Sequence, residues 1–418
     1  MAEFLSEKRV LLSNPGRQLN NVYYTQLNSS VEQVEVTFNN GKYRQSLNSL
    51  VFGGQALITI PNSSLVSDFY LHLELPATVA NQTLQRGWGY GSIRSINYLW
   101  GSSNVSQVQM SGQSVFQTVM QQCENAEKRS ELLRLAGDVV LTAGVVPKAD
   151  LLIPLPWSTA CSLMDKKPFD TNILNDPITI QIQFNDARKI YGGDGVPPTA
   201  FSIAEAILKQ GEFTNKALSL RNSLMANPSL MSAYPFIHHQ SFSPGKFTVV
   251  DPANTVNIVL QSFINADLLA ITIGVINDLS QNPSGNNSPS QFNYVDLQDV
   301  RLLFNGIVMC DAPGNLLKLI NCKAGPCGGN YVHNDVIQPG TVAPFTSDPV
   351  DTYIYEFDFA KMRSLCFEGQ YENVQRFGNQ VLTLEFKVPA AGTYQTYATY
   401  HYNGICEINR GQSNIYFN

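Results

Sequence analysis

Two segments of the chain, about half its length apart, alternate apolar and polar residues in the same way. Their apolar positions are Ile178, Ile180, Ile182 and Phe184 in the first segment and Leu382, Leu384, Phe386 and Val388 in the second. A period of two residues is typical of a β-strand with one buried face. The segments belong to longer stretches, Leu151–Asp186 and Tyr353–Val388, and their apolar residues are offset by 382 − 178 = 204 positions. We therefore predict one β-domain that occurs twice.

Two further alignments support this duplication. The alternating segment Ile96–Trp100 matches Val300–Phe304, again at an offset of 204 positions (300 − 96). The pair Asp68-Phe69 matches Asp267-Leu268 at an offset of 199 (267 − 68). Three matches in the same order at nearly one offset indicate a structural repeat, although few residues are identical.

Helical signals interrupt the strands at few places. Ser114, followed three residues later by Gln117, resembles a capping box, and Gly137 suits the position after a helix, so we predict a helix between Ser114 and Gly137. A strand is predicted to follow at Val139–Val146. We predict a further strand at Ser202–Phe213, and a short helical piece at Asn315–Ile320.

These elements predict the domain organisation. Residues 1–20 form an N-terminal arm, residues 21–213 a first domain, residues 214–233 a linker helix and residues 234–418 a second domain. About eight strands per half, separated by turns and without alternating helices, are typical of sandwiches and jelly rolls. The predicted fold class is all-β: two tandem eight-stranded jelly rolls with short helices in the connecting loops.

Composition and charge limit the possible partners. The chain has 418 residues, of which 44% are hydrophobic and 14% charged, where roughly 25% charged is usual. The net charge is −6 and no polybasic segment occurs, so direct binding to nucleic acid is not expected. The sequence contains no apolar run long enough to span a membrane, and its N-terminus does not resemble a signal peptide. We therefore expect synthesis in the cytosol.

No residue pattern points to catalysis, a cofactor or a metal, and we assign no site residues to these roles. Adjacent residues of a strand point to opposite faces, so we expect one of His238 and His239 to be buried and the other exposed. Three weaker candidates remain. Cys322 and Cys327 could form a loop disulfide or, together with His333, part of a zinc site. Asp165 and Asp170 are expected to form a solvated charge cluster. The seven cysteines are expected to be free thiols.

Three local segments resemble a known family. They are Ile153–Trp157, which reads IPLPW, Ile96–Gly101 with Gly112 beyond it, and Tyr397–Phe417, which ends in NIYF. In layout and in these segments the chain resembles the double jelly-roll major capsid proteins of tailless icosahedral double-stranded DNA viruses. That lineage includes nucleocytoplasmic large DNA viruses, virophages, Polinton-like viruses and adenovirus.

The resemblance implies a structural function without enzymatic activity. Three chains would form a homotrimer with a pseudo-hexagonal outline, and such capsomers would tile an icosahedral shell. The implied partners are neighbouring capsomers, minor capsid or penton proteins and, through the arm at residues 1–20, an internal lipid membrane. The implied location is the virion capsid, after synthesis in the host cytoplasm.

Two other function classes remain open. Jelly rolls also occur in lectins and in receptor-binding spikes, and Trp88, Tyr90, Trp100 and Trp157 could stack on sugars. Trp100 and Trp157 lie in apolar, strand-like stretches, however, which favours a place in the core. A glycosidase on a β-sandwich would need two placed carboxylates, and no sequence motif marks such a pair.

The capsid and lectin hypotheses predict different assembly states. If the chain is a capsid protein, we expect a stable trimer in light scattering and capsid-sized shells in negative-stain microscopy. A monomer that binds a glycan array would contradict the capsid hypothesis and support the lectin.

Overall fold

The fold was analysed in a computed structural model of the chain. The structure describes residues 36–47, 50–62, 65–79, 82–85, 87–100, 106–121, 126–137, 144–155, 169–192, 195–213, 232–260, 268–278, 292, 294–312, 331–332, 352–358, 381–409 and 412–417. The N-terminal arm, residues 214–231 of the linker helix predicted at 214–233, and the predicted helix at 315–320 lie outside these residues. Residues 232 and 233 of that predicted linker begin a strand, Ser232–Phe242. The predicted domain limits therefore stay predictions.

The first half forms two antiparallel sheets that pack face to face. One sheet has the order β1-β11-β3-β7, with β8 also paired to β3, and the other contains the run β2-β9-β5-β6; β4 pairs with β10 alone. The strands are β1 Val36–Ser46, β2 Gln55–Ile60, β3 Leu65–Glu74, β4 Thr83–Leu84, β5 Ile93–Trp100, β6 Ser106–Ser111, β7 Lys148–Ile153, β8 Phe169–Asp170, β9 Ile178–Phe184, β10 Tyr191–Gly192 and β11 Ile203–Phe213.

The second half repeats this arrangement. One sheet contains the run β12-β22-β15-β20, with β13 and β23 also paired to β22, and the other has the order β14-β21-β16-β17. The strands are β12 Ser232–Phe242, β13 Lys246–Val249, β14 Val256–Leu260, β15 Leu268–Asn277, β16 Gln298–Phe304, β17 Ile307–Ala312, β18 Tyr331–Val332, β19 Thr352–Tyr353, β20 Tyr355–Asp358, β21 Leu382–Lys387, β22 Gly392–Asn409 and β23 Gln412–Phe417.

The two halves share one topology. Counting only the eight main strands of each half, the first, eighth, third and sixth form one sheet, and the second, seventh, fourth and fifth form the other. This order is that of a jelly roll. The strands aligned in the sequence occupy matching places: β9 with β21, β5 with β16, and β3 with β15. The predicted duplication and the fold class, two tandem jelly rolls, are confirmed.

Each roll has its own hydrophobic core, built by strict alternation. In β9 the residues Ile178, Ile180, Ile182 and Phe184 are buried, and the residues between them are partly exposed. The matching residues Leu382, Leu384 and Phe386 of β21 are buried in the second core. Burying such a side chain stabilises a fold by about 1.5–3 kcal/mol, so the alternation seen in the sequence also fixes the register of these strands.

The described residues of the first roll include three α-helices: α1 Trp88–Gly91, α2 Gly112–Gln121 and α3 Ala126–Leu135. The predicted start at Ser114 is wrong by two residues, because β6 ends at Ser111 and the hydroxyl of Ser111 accepts the Ser114 N–H at 3.1 Å. Ser111 is therefore the capping residue. Gly137 has a φ of +92°, as expected of a glycine just past a helix end.

Two strand predictions had different outcomes. The strand predicted at Ser202–Phe213 is confirmed as β11. The strand predicted at Val139–Val146 is wrong for its described residues, since 144–147 are not strand and β7 begins at Lys148. These residues instead lie along the segment after β3, where the Gly144 N–H donates to the Thr78 carbonyl at 2.9 Å and the Thr78 N–H to the Val145 carbonyl at 2.9 Å.

We predict that Gly112→Ala destabilises the first roll. A Cβ at Gly112 would lie 2.2 Å from the Ile93 carbonyl oxygen and 2.7 Å from that of Tyr90, so the backbone must move. Overpacking of this kind costs about 3 kcal/mol of the free energy of unfolding. Gly392→Ala is the matched control, because its Cβ would meet nothing closer than 3.5 Å. Urea denaturation measures both, and equal stability of the two variants would contradict the expected clash.

Candidate functional site

The two rolls are joined edge to edge. The last strand of the first roll's second sheet, β6, pairs in parallel with β12 of the second roll, with Gln109 opposite Gln240. The run β2-β9-β5-β6 and the run β12-β22-β15-β20 thus form one continuous sheet. We use the word seam for the face of β12, β22 and β15 that is turned towards the first roll. The helix α2 packs on this face.

The strands of the seam carry polar side chains on the face towards the first roll and apolar side chains on the opposite face. In β22, Tyr394, Ala398, Tyr400 and Tyr402 belong to the second core. The alternate residues Tyr397 and Thr399 face the first roll, where Thr399 is fully buried and Tyr397 packs against the first core. Because both faces of these strands are covered, their polar side chains must find partners within the protein.

Hydrogen bonds tie α2 to the seam. The Ser241 hydroxyl of β12 donates to the Ser114 hydroxyl at 2.8 Å and accepts the Ser111 N–H at 2.6 Å. Gln117 is fully buried: its Oε1 accepts the Thr399 hydroxyl at 3.0 Å and its Nε2 donates to the Tyr397 carbonyl at 3.4 Å. The helix therefore contacts both β12 and β22 through neutral groups.

Aromatic side chains close one side of the seam. Phe116 of α2 stacks on Phe292 with ring centroids 4.2 Å apart, and the Tyr294 hydroxyl donates to Gln113. Phe292 and Tyr294 follow β15 in the chain but are buried in the first core. Gly274 of β15 leaves the space for the Tyr294 ring, since a Cβ there would lie 2.3 Å from it. Burial raises the pKa of Tyr294 well above its usual value, so it remains a neutral donor.

Two histidines of the seam contact each other directly. His239 of β12 is opposite His401 of β22, and their Nδ1 atoms are 2.8 Å apart. The Nε2 atom of His401 is 3.0 Å from the hydroxyl of Thr272 on β15. Burial, with the neighbouring His401 adding to it, holds the pKa of His239 well below its usual value, and burial lowers the pKa of His401 to about 4. Both rings are neutral at neutral pH.

The prediction that one of His238 and His239 would be exposed is wrong. Both are buried, with 7% and 1% of their surface accessible. They do point to opposite faces, as expected: His238 lies near Tyr402 of the second core, with ring centroids 6.1 Å apart, and His239 lies in the seam. The error arises because the sheet has no solvent-exposed face at this point.

The other sequence candidates are dispersed. Asp170 is buried, not solvated as predicted, because its carboxylate accepts the Asn172 N–H at 3.0 Å and caps the 3₁₀ turn Thr171–Ile173. Asp165, Cys322, Cys327 and His333 lie outside the described residues. Within the described part of the chain, no group of three or more His, Cys, Asp or Glu side chains could hold a metal ion. No helix there is long and apolar enough to cross a membrane.

The aromatic residues considered for sugar stacking include two in the core. Trp88 and Tyr90 are buried, and the Tyr90 hydroxyl donates to the Leu152 carbonyl at 3.0 Å. They cannot form an exposed platform for a sugar. The Trp100 side chain and Trp157 lie outside the described part of the structure.

We predict that Gln117→Leu lowers the free energy of unfolding by about 2 kcal/mol, because it removes the acceptor of the buried Thr399 hydroxyl. Adding Thr399→Val removes that hydroxyl. The double variant should therefore be less destabilised than the sum of the two single variants, as measured by urea denaturation in a double-mutant cycle. Strict additivity would argue against the hydrogen bond.

Comparison of the sequence with protein-family models finds no match, and comparison with curated proteins finds none either. Comparison with solved structures does. The chain is similar to the capsid of the virus PBCV-1, with 11% identity, a TM-score of 0.62, and coverage of 93% of this chain and 98% of the other.

Two further solved structures are similar over nearly their whole length. For the Faustovirus major capsid protein the identity is 10%, the TM-score 0.52 and the coverage 97% of this chain and 98% of the other. For the mavirus major capsid protein the identity is 11%, the TM-score 0.51 and the coverage 93% of each chain. At such low identity the shared property is the fold. The chain has the double jelly-roll fold of these viral major capsid proteins.

Proposed function

We propose that this chain is a major capsid protein that forms trimeric, pseudo-hexagonal capsomers of an icosahedral shell. The fold supports the proposal, because the similarity covers both rolls of proteins whose names describe a capsid role. Its role in the shell is structural, not enzymatic.

The junction between the rolls is the observation that carries the proposal. It joins unlike edges: β6, the fifth main strand of one roll, pairs with β12, the first main strand of the other. The equivalent edges, β17 of the second roll and β1 of the first, end their sheets among the described strands. A second copy could therefore place its β1 beside β17 and repeat the junction between chains.

A contact between unlike surfaces forms a closed ring if its rotation closes, and an open filament if it does not. Three copies joined in this way use every such edge and bring six similar rolls together. The result is a trimer with a roughly hexagonal outline, although only three-fold symmetry is exact. Such a block tiles a surface with similar contacts on all sides.

The edge strand β17, which ends its sheet among the described strands, has the chemistry of a protein contact. Ile307 and Val308 expose 56% and 49% of their surface, and Val381, bonded to the adjacent turn at Asn305, exposes 50%. Apolar side chains together at a strand edge are a liability in a monomer, because a free edge can pair with other chains. A neighbouring copy would cover them.

The wider role follows from the capsid assignment. The partners we propose are neighbouring capsomers and minor capsid or penton proteins, and the arm at residues 1–20 would contact an internal membrane. The protein would be synthesised in the host cytoplasm and reside in the virion. We also propose that residues 214–231 connect the two rolls, between the end of β11 and the start of β12. The burial of Trp88 and Tyr90 weakens the alternative of a sugar-binding protein.

We predict that Val308→Lys prevents assembly without unfolding the chain. The side chain is half-exposed in one chain, but a charge at the edge would be buried without a partner in the trimer. Sedimentation should give the wild type as about 139 kDa, three times the chain mass of 46.2 kDa, and the variant as a single chain.

Val250→Lys serves as the control, because Val250 is 87% exposed and lies in the turn after β13. It should remain trimeric. A monomeric wild type, or a trimeric Val308→Lys variant, would contradict the proposed assembly.

A further inference from the structure

The imidazole rings of His239 and His401 meet under a geometric constraint. With their Nδ1 atoms 2.8 Å apart, one must donate and the other must accept through its lone pair. Two neutral rings satisfy this contact. Two protonated rings cannot, because both nitrogens then carry hydrogen and two positive charges face each other. The contact is therefore compatible with at most one added proton.

The side chains that contact the pair, or contact the seam beside it, are uncharged. Side chains of α2 that contact the seam near it, Ser114 and Gln117, are uncharged, as is Thr272, which contacts His401. The titratable side chains on the strands around the pair, and on the segment after β15, include His238 on β12, Tyr397 and Tyr402 on β22, Tyr294, and Glu356 on β20. Glu356 is a buried carboxylate opposite Thr272 in the register of β15 and β20.

The position of the pair gives its protonation a structural consequence. Both residues lie on the face of the sheet that the first roll covers, and His239 belongs to β12, the strand that pairs with β6. Ser241, two residues along β12 from His239, makes the hydrogen bonds to Ser111 and Ser114. Charge repulsion at the pair therefore acts directly on the elements that join the rolls.

We propose that the His239–His401 pair makes the seam acid-labile, so that the two rolls are held together at neutral pH and separate along the seam in acid. The proposed effect of acid on the His239–His401 pair occurs within one chain. Its use in a capsid, the loosening of capsomers when a particle meets an acidic compartment, rests on the proposed function.

Proton linkage determines whether the closed seam gains or loses stability as the pH falls. Both rings have a pKa in the closed seam below the ordinary value of about 6.5, and they regain that value when the seam opens. The open form thus binds more protons, and the closed form is lost as the pH falls below about 6.5. Each histidine raises the opening constant by up to about tenfold per pH unit until the pH reaches the pKa of the closed form.

Hydrogen–deuterium exchange of the full chain between pH 7.5 and 5 tests the proposal. After correction for the intrinsic exchange rate, peptides from α2 and β12 should show an opening constant that rises at least tenfold between pH 6.5 and 5. Peptides from β3, inside the first roll, should change less than about twofold. Constant protection of α2 and β12 over this range would overturn the proposal.

The double variant His239→Asn with His401→Asn retains polar side chains but no titratable ring. It should lose the pH dependence, and persistence of the wild-type slope would overturn the proposal. His72→Gln is the matched control, because His72 is partly exposed on β3, where it pairs with Asp150 at 2.6 Å. It should leave the exchange of α2 and β12 unchanged from the wild type.

If the double variant does not fold, ring titration of the wild type by nuclear magnetic resonance decides. Both seam rings should remain neutral in the closed form at pH 5.5. Protonation of both near pH 6.5 with the seam still protected would overturn the proposal.

The same exchange experiment on the Val308→Lys variant separates the two proposals, because the seam lies within one chain and should respond to acid whether or not trimers form.

Discussion

The structure depends on a sheet that packs against one roll on each of its two faces. Strands β12, β22 and β15 cover the second core with one face and meet the first roll with the other, so polar side chains that are buried between the rolls need partners inside the protein. A buried hydroxyl or amide without a partner costs about 1–3 kcal/mol, which is a substantial part of the stability of a domain. Ser241 and Thr399 meet this condition by bonding to side chains of α2. The His239–His401 pair meets it by contacting each other and Thr272.

This condition also determines how the rolls are arranged. Apolar surfaces can slide with little change in free energy, because the hydrophobic effect has no direction. The bonds from Gln117 to Thr399 and from Ser241 to Ser114 and Ser111 are directional, and a shift of one residue would break all of them. The polar seam thus sets the orientation, while the two apolar cores supply most of the favourable free energy.

Much of the fold could be predicted from the sequence, and the seam could not. Alternation with period two identified β9, β21, β5 and β16, because burial of one face of a strand produces a pattern within that strand's own residues. What covers the other face is decided by residues far away in the chain, so His239 gave no sign of its burial. The same reason applies to Asp170, whose role as a cap depends on the turn after it, and to Ser111, which displaces Ser114 as capping residue because β6 ends there. The aromatic residues Phe292 and Tyr294 were also missed, since they complete a core that belongs to the other half of the chain.

The duplication has a kinetic consequence for assembly. In the proposed ring, half of the contacts between rolls are made within a chain, where one roll finds the other at an effective concentration set by the connecting segment rather than by the supply of protein. Only the remaining contacts depend on collisions between molecules. A chain with two rolls should therefore form capsomers at a lower concentration than the same rolls made separately, which favours assembly early, while few copies are present.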